Sequence, residues 1–202
     1  MLLSLLFLGL AALVAPSVSY GCYGDLQTIQ TPEVSCEPVQ TPACGVQSAA
    51  KLVQVHIIRL RQYEVPIKRV AKIYCIDPAL IGALISVESG AGLNLVDGWN
   101  RDRTRYGLMQ IHKHYNTIPV AWDSEDHIAH GTNILVTSMK ELRIKHPTWT
   151  WQQCLIGGLC AFHDKVRNIQ VYDGTDNCNL NNNYVNTVLV RAKTLQTMGF
   201  TI

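Results

Sequence analysis

The sequence predicts an α+β fold that is predominantly α-helical and contains one small sheet. Apolar residues recur at helical spacing over most of the chain after residue 46, and Gly and Pro separate these segments. The apolar alternation typical of a strand occurs only over residues 106–111. Behind an apolar start, about 180 residues remain, which is enough for one domain with a substantial core.

The first 19 residues have the pattern of a signal peptide. Residues 1–14 are almost entirely apolar, and Ser17, Val18 and Ser19 offer small side chains for cleavage. This apolar run is too short for a membrane-spanning helix. We therefore expect a secreted chain that begins near Tyr20, forms a single domain over residues 20–202 and does not insert into a membrane.

Charge and cysteine content exclude several functions. The net charge of +2 comes from interspersed acids and bases, which does not favour nucleic acid as a partner. Seven cysteines fit an oxidising compartment, and the lack of any Cys-x-x-Cys pair argues against zinc, so no metal or cofactor is expected. The odd number leaves at least one thiol unpaired or paired outside the chain. Cys154 and Cys160 point to different faces of one predicted helix and cannot join each other.

Residues 20–46 form an irregular, disulfide-stapled arm, and helices begin after it. Helical periodicity then disappears between Gly90 and Pro119, and a long loop of this kind often carries function. Residues 106–111 within it predict a short strand. The helices are predicted over residues 47–63, 65–75, 77–89, 124–146, 150–162 and 183–198.

Glu88 is the candidate catalytic residue. It ends the third predicted helix, for which Asp77 suits the N-cap and Gly90 the exit. Leu84, Ile85 and Glu88 fall on one face, so the carboxyl lies where an apolar stripe ends. Burial raises the pKa of a carboxyl, and a protonated carboxyl can act as a general acid. From this helix alone, an ordinary solvated glutamate is favoured over a catalytic one.

A Gly-rich loop and a short strand follow Glu88, and they place the Gln110 amide on the floor of a cleft. At this point the chain resembles goose-type lysozymes and, more distantly, lytic transglycosylases, over essentially the whole chain after the signal peptide. This resemblance implies a lysozyme-like fold with a small antiparallel sheet at the cleft. The motifs that carry it are Gly21-Cys22-Tyr23-Gly24-Asp25, Cys75-Ile76-Asp77-Pro78-Ala79, Ile85-Ser86-Val87-Glu88-Ser89, Asp97-Gly98-Trp99, Tyr106-Gly107-Leu108-Met109-Gln110, His146-Pro147-Thr148-Trp149-Thr150, Gly157-Gly158-Leu159 and Val190-Arg191-Ala192-Lys193.

The resemblance implies roles for individual residues. Glu88 matches the general acid that protonates the glycosidic oxygen of peptidoglycan. Gln110 and Tyr184 match residues at the cleft, although packing alone would also explain them. Two disulfides are implied, Cys22 with Cys75 and Cys36 with Cys44. Whether Cys160 pairs with Cys178 is left open.

The chain departs from the family where a catalytic base would stand. Arg101 and His112 occupy the positions of two aspartates, and His163 replaces the asparagine of an Ala-Tyr-Asn motif. An inverting hydrolase needs a base about 6.5–9.5 Å from the acid. Arg101 cannot accept a proton, which leaves three candidate bases: His112, Asp102 and Asp97.

Two classes of function follow. The first is a secreted, antibacterial hydrolase that cleaves the β-1,4 bond between N-acetylmuramic acid and N-acetylglucosamine, or a single-acid transglycosylase in which a substrate hydroxyl attacks. The second is a catalytically impaired protein that binds peptidoglycan or chitooligosaccharides, with Arg101, His112 and His163 as donors. We favour the enzyme because the chain keeps Glu88, and we expect a monomer.

Overall fold

The computed structural model describes residues 24–32, 46–115, 120–164 and 183–201. Within these ranges the chain forms six α-helices and one two-stranded antiparallel sheet, which confirms the prediction of a mainly helical α+β fold. The elements are α1 (Val46–Leu60), α2 (Glu64–Tyr74), α3 (Pro78–Ser89), β1 (Arg105–Tyr106), β2 (Ile111–His112), α4 (Glu125–Lys145), α5 (Trp151–Asp164) and α6 (Asn183–Thr197).

Helix α3 forms the centre of the core. All but two of its 12 residues are buried, and α1, α2 and α6 pack around it. Leu80 and Ala83 are fully buried as well as Leu84 and Ile85, so the burial of α3 extends well beyond the single apolar face that the sequence suggested. A Cβ on Gly82 would lie 3.1 Å from the Leu195 side chain, which shows how closely α6 approaches.

The two ends of α3 are fixed as predicted. The Asp77 side chain accepts hydrogen bonds from the Ala79 N–H at 2.8 Å and from Gln196 Nε2 at 2.6 Å, and burial raises the pKa of this carboxyl. Gly90 ends the helix in the left-handed region with φ 61°, and its N–H bonds to the Ile85 carbonyl. These caps determine where α3 stops and therefore where Glu88 lies.

The single strand predicted over residues 106–111 is wrong. Tyr106 and Ile111 belong to two different strands and pair with each other, and residues 107–110 form the turn between them. Gly107 has φ 78° and Gln110 φ 49°, which are turn conformations and not strand conformations. In this register Arg105 pairs with His112, so their side chains share one face of the hairpin.

The described part of the N-terminal arm packs on α6. Leu26 and Ile29 are fully buried. The Lys193 ammonium donates to the Ile29 carbonyl, and Asn186 Nδ2 donates to the Pro32 carbonyl at 2.7 Å. These contacts attach residues 24–32 to the last helix.

Among the cysteines of the described residues, Cys75 takes part in a disulfide and so does Cys160. Cys154 is free and buried. Burial raises the pKa of the Cys154 thiol, so it stays protonated. The predicted signal peptide over residues 1–19 lies outside the described residues, as do Cys22, Cys36, Cys44 and Cys178. The two implied pairings therefore stay predictions.

No helix in the described ranges is both long and apolar enough to cross a membrane.

Candidate functional site

Three side chains from α3, α6 and β1 meet at the end of α3. The Glu88 side chain is only 6% exposed. The Tyr184 hydroxyl donates a hydrogen bond of 2.5 Å to Glu88 Oε1, and Arg105 Nη1 lies 3.6 Å from Oε2. Each carboxyl oxygen thus has a partner from a different element. This arrangement holds the carboxyl in one orientation.

Tyr184 is held from its other side by His163. The two rings are stacked with centroids 4.0 Å apart and an interplanar angle of 22°. Tyr184 lies in the first turn of α6 and His163 in the last turn of α5. The sequence singled out His163, Tyr184 and Glu88 separately, and the fold brings them together in that order.

Arg105 is the site residue that the sequence reasoning missed. The strand predicted over 106–111 excluded it and concealed its pairing with His112. A turn at Gly107, a residue type that adopts positive φ readily, would have placed Arg105 beside the cleft. At 3.6 Å the contact with Glu88 is an ion pair without a hydrogen bond. The cation favours an ionised Glu88, whereas burial favours the protonated form.

The three candidate bases have different surroundings. His112 is half-buried on the same face of the hairpin as Arg105, and its ring stacks on His114 at 4.8 Å. Asp102 is exposed, and its carboxylate accepts from the Thr104 hydroxyl at 2.6 Å and from the Thr104 N–H at 3.2 Å, which lowers the pKa of Asp102. Asp97 is exposed in a tight turn with φ 51°. Of the three, His112 is the one that pairs with a residue in contact with Glu88, because its strand partner is Arg105.

The two remaining residues predicted to bind substrate lie in the loop before β1 and in the turn between β1 and β2. Arg101 is exposed in the loop before β1. Gln110 is buried, and its Nε2 donates to the Gly107 carbonyl at 2.8 Å, so the amide closes the hairpin turn. Substrate binding by these two residues stays a prediction.

His127 packs against the turn between β1 and β2. Its ring is fully buried, and its Nε2 accepts a hydrogen bond of 3.2 Å from the Met109 N–H. Burial, with a smaller effect from the charge of His130, lowers the pKa of His127 to about 4. The ring also fills the space beside Gly107, where a Cβ would lie 2.1 Å from it. A neutral imidazole is thus part of the floor of the site.

A second group of buried polar side chains is centred on Ser86, two residues before the acid. The Ser86 hydroxyl lies 2.8 Å from His56 Nδ1 and accepts from Arg191 Nη1 at 2.9 Å, and Arg191 also donates to the Ser86 carbonyl at 2.7 Å. Burial lowers the pKa of Arg191 to about 10. Burial and the charge of Arg191 lower the pKa of His56. This group joins α1, α3 and α6 directly behind Glu88.

The family model described as Lysozyme g matches residues 23–199 of the chain. Lysozyme g of Gallus gallus is 37% identical over 204 residues, covering 99% of this chain and 97% of the relative. Lysozyme g-like protein 2 of Homo sapiens is 33% identical over 217 residues, covering 99% of this chain and 100% of the relative. Lysozyme g-like protein 1 of Homo sapiens is 32% identical over 200 residues, covering 96% of this chain and 97% of the relative.

Proposed function

This chain belongs to the lysozyme g family, and on that premise we propose that it is a secreted, antibacterial peptidoglycan hydrolase that uses Glu88 as its general acid. The bond cleaved is the β-1,4 bond between N-acetylmuramic acid and N-acetylglucosamine. Family membership supports a lysozyme-like glycosidase. The apolar residues 1–14 and the disulfide-bonded Cys75 and Cys160 support secretion.

The observation that carries the proposal is the position of the Glu88 carboxyl. It lies at the end of a buried helix, 6% exposed, with its orientation fixed by Tyr184. An oriented, largely buried carboxyl is the arrangement that general acid catalysis requires, and such an acid contributes roughly 10²–10⁴-fold to a rate.

The proposed reaction transfers one proton from Glu88 to the glycosidic oxygen. That oxygen leaves with the electron pair of its bond to the sugar C1, and a water molecule adds to C1. The proton lost by this water passes to His112 and then returns to Glu88 through solvent. In the related transglycosylation, a hydroxyl of the same sugar attacks C1 and its proton returns to Glu88, so no separate base is needed.

A second function is favoured by the contact between Arg105 and Glu88. An ionised carboxylate paired with a guanidinium cannot donate a proton. If Arg105 keeps Glu88 ionised while glycan is bound, the protein binds peptidoglycan or chitooligosaccharides without cleaving them. Arg101, His112 and His163 would then serve only as donors to the glycan.

The two functions separate in one set of assays. Purified wild-type protein is added to a cell-wall suspension and the turbidity followed, beside calorimetry with chitooligosaccharides. For the hydrolase we expect clearing by the wild type and none by Glu88→Gln. Glu141→Gln, which changes an exposed glutamate on α4, should clear like the wild type. Clearing that survives Glu88→Gln removes Glu88 from the mechanism, and binding without product establishes the second function.

Mass spectrometry of the products distinguishes the two reactions. Hydrolysis yields fragments that together are heavier than the substrate by one water, whereas intramolecular transglycosylation adds no mass.

A further inference from the structure

We propose that Arg105 recognises a carboxylate carried by the bound glycan strand and leaves Glu88 when it does so. This inference rests on the proposed function only in that the cleft must hold an N-acetylated glycan. Recognition of the carboxylate requires no cleavage, and a neutral glycan leaves the contact between Arg105 and Glu88 in place.

The first support is the loose attachment of Arg105. Its guanidinium has five N–H donors. In the part of the chain that the structure describes, the side chain makes one polar contact, the ion pair with Glu88 at 3.6 Å. This distance is too long for a hydrogen bond. The side chain is 32% exposed, so a ligand in solvent can reach it.

The second support is the charge of the hairpin. Residues 100–114 contain four Arg or Lys residues and one acid, Asp102. Asp102 is exposed, and its carboxylate already accepts hydrogen bonds from Thr104. The other basic side chains, those of Arg101, Arg103 and Lys113, are exposed. An anion that approaches this hairpin meets a positive surface, which attracts it to Arg105.

The third support is the chemistry of the exchange. An arginine binds a carboxylate best through two parallel hydrogen bonds. Arg105 makes no such pair with Glu88, because its Nη1 lies beyond hydrogen-bond distance of Oε2; Oε1 accepts from Tyr184. A carboxylate on the ligand is free to accept both bonds. A glycan with this group should therefore draw the guanidinium from Glu88, and a neutral glycan should not.

The test uses three disaccharides of similar size. The acidic ligand is N-acetylglucosaminyl-N-acetylmuramic acid, whose internal linkage is not the bond of the proposed reaction. The first neutral ligand is its methyl ester, which lacks the charge and carries one additional methyl group. The second is di-N-acetylchitobiose. Dissociation constants are measured by nuclear magnetic resonance titration of nitrogen-15-labelled protein, which also reports the Arg105 Nε–H signal.

We expect the wild type to bind the acid roughly tenfold more tightly than the ester, since hydrogen bonds between charged groups exceed neutral ones by about that factor. In Arg105→Gln the two ligands should bind within about twofold of each other, with the ester unaffected. Arg103→Gln removes an exposed charge of the same loop and should keep the preference for the acid. The acid, but not the ester, should shift the Arg105 Nε–H signal.

Equal binding of acid and ester by the wild type overturns the proposal and leaves the glycan cleft intact. An equal loss of preference in Arg103→Gln and Arg105→Gln also overturns it, because the effect is then that of general charge. If none of the ligands binds, the glycan cleft itself is wrong and the proposed function fails with the inference. A fourth ligand, with a peptide on the lactyl group, shows whether the sugar or the peptide supplies the preferred carboxylate.

Discussion

Tyr184 and Glu88 lie 96 positions apart in the chain and are joined by a hydrogen bond of 2.5 Å from the tyrosine hydroxyl to Oε1 of the carboxyl. At this distance the contact is a short, direct hydrogen bond between the two side chains. Because the Tyr184 ring is also stacked on His163, its hydroxyl has little freedom to move. The start of α6 therefore fixes the orientation of an acid on α3.

Tyr184→Phe should reduce the rate of cell-wall clearing by roughly ten- to a hundredfold, since the hydroxyl would bond to the carboxylate that Glu88 becomes on giving up its proton, and hydrogen bonds to charged groups contribute about 1.5–3 kcal/mol. Phenylalanine keeps the stack on His163 and removes only the hydroxyl, so we expect the loss in kcat and little change in KM. Tyr74→Phe, at a half-buried tyrosine of α2, serves as the control. Unchanged kcat in Tyr184→Phe would show that the hydroxyl does not position the acid.

Gly107→Ala should destabilise the protein by several kcal/mol. The new Cβ would lie 2.1 Å from the buried His127 ring, and the residue must also keep φ 78°. Gly199→Ala separates the two effects, because its φ is 80° and the nearest heavy atom to a Cβ is 4.0 Å away. Gly199→Ala should therefore lower the free energy of unfolding by only about 1–2 kcal/mol, which is the cost of a left-handed backbone for a residue with a Cβ.

Urea unfolding of the two glycine variants measures the difference. Similar losses in both would mean that the His127 ring moves aside at little cost, and that the floor of the site is less tightly packed than its contacts indicate.

Ser86→Ala should lower the free energy of unfolding by about 1–3 kcal/mol, because a buried donor that loses its acceptor costs about that much. The hydroxyl bonds to Arg191 and lies beside His56, both of which are buried. In Ser138→Ala, by contrast, the lost hydroxyl only donates to a carbonyl of its own helix, and we expect a change within about 0.5 kcal/mol. Equal values for the two variants in urea unfolding would contradict a structural role for the buried group.

The elements that local patterns define were predicted well. Helix α3 was recognised because Asp77 and Gly90 act within a few residues of the ends that they cap. The burial of all but two of its residues was not predicted, since α1, α2 and α6 cover the helix only after distant parts of the chain meet. The same limit applies to the site. Glu88 was singled out on its helix and assigned its role through the family resemblance, but the partner of its second oxygen depends on the register of the hairpin.

That register explains the largest error. The alternation of apolar residues over 106–111 is real, yet it arises from two strand ends and a turn. Gly107 was the available signal. Its positive φ and the close His127 ring require glycine at that point, and a turn there places Arg105 opposite His112. Only then does a basic side chain reach Glu88.

His127 should make the protein less stable in mild acid. The pKa of the folded imidazole is about 4 and the ordinary value is 6.5. Between these values the unfolded chain binds a proton that the folded chain does not, so stability rises with pH across this window. The contribution of His127 to the free energy of unfolding is complete above pH 6.5 and is lost as the pH falls towards 4. The total loss is on the order of 3 kcal/mol.

His127→Gln keeps an acceptor for the Met109 N–H and does not titrate, so its unfolding free energy should depend less on pH over this window. His56, with a lowered pKa, and Asp77, with a raised one, also titrate in acid, but both are present in each protein and cancel in the comparison. Urea unfolding of both proteins at intervals between pH 4 and 7 gives the difference. Parallel curves would mean that the His127 imidazole takes up a proton in the folded protein without loss of stability.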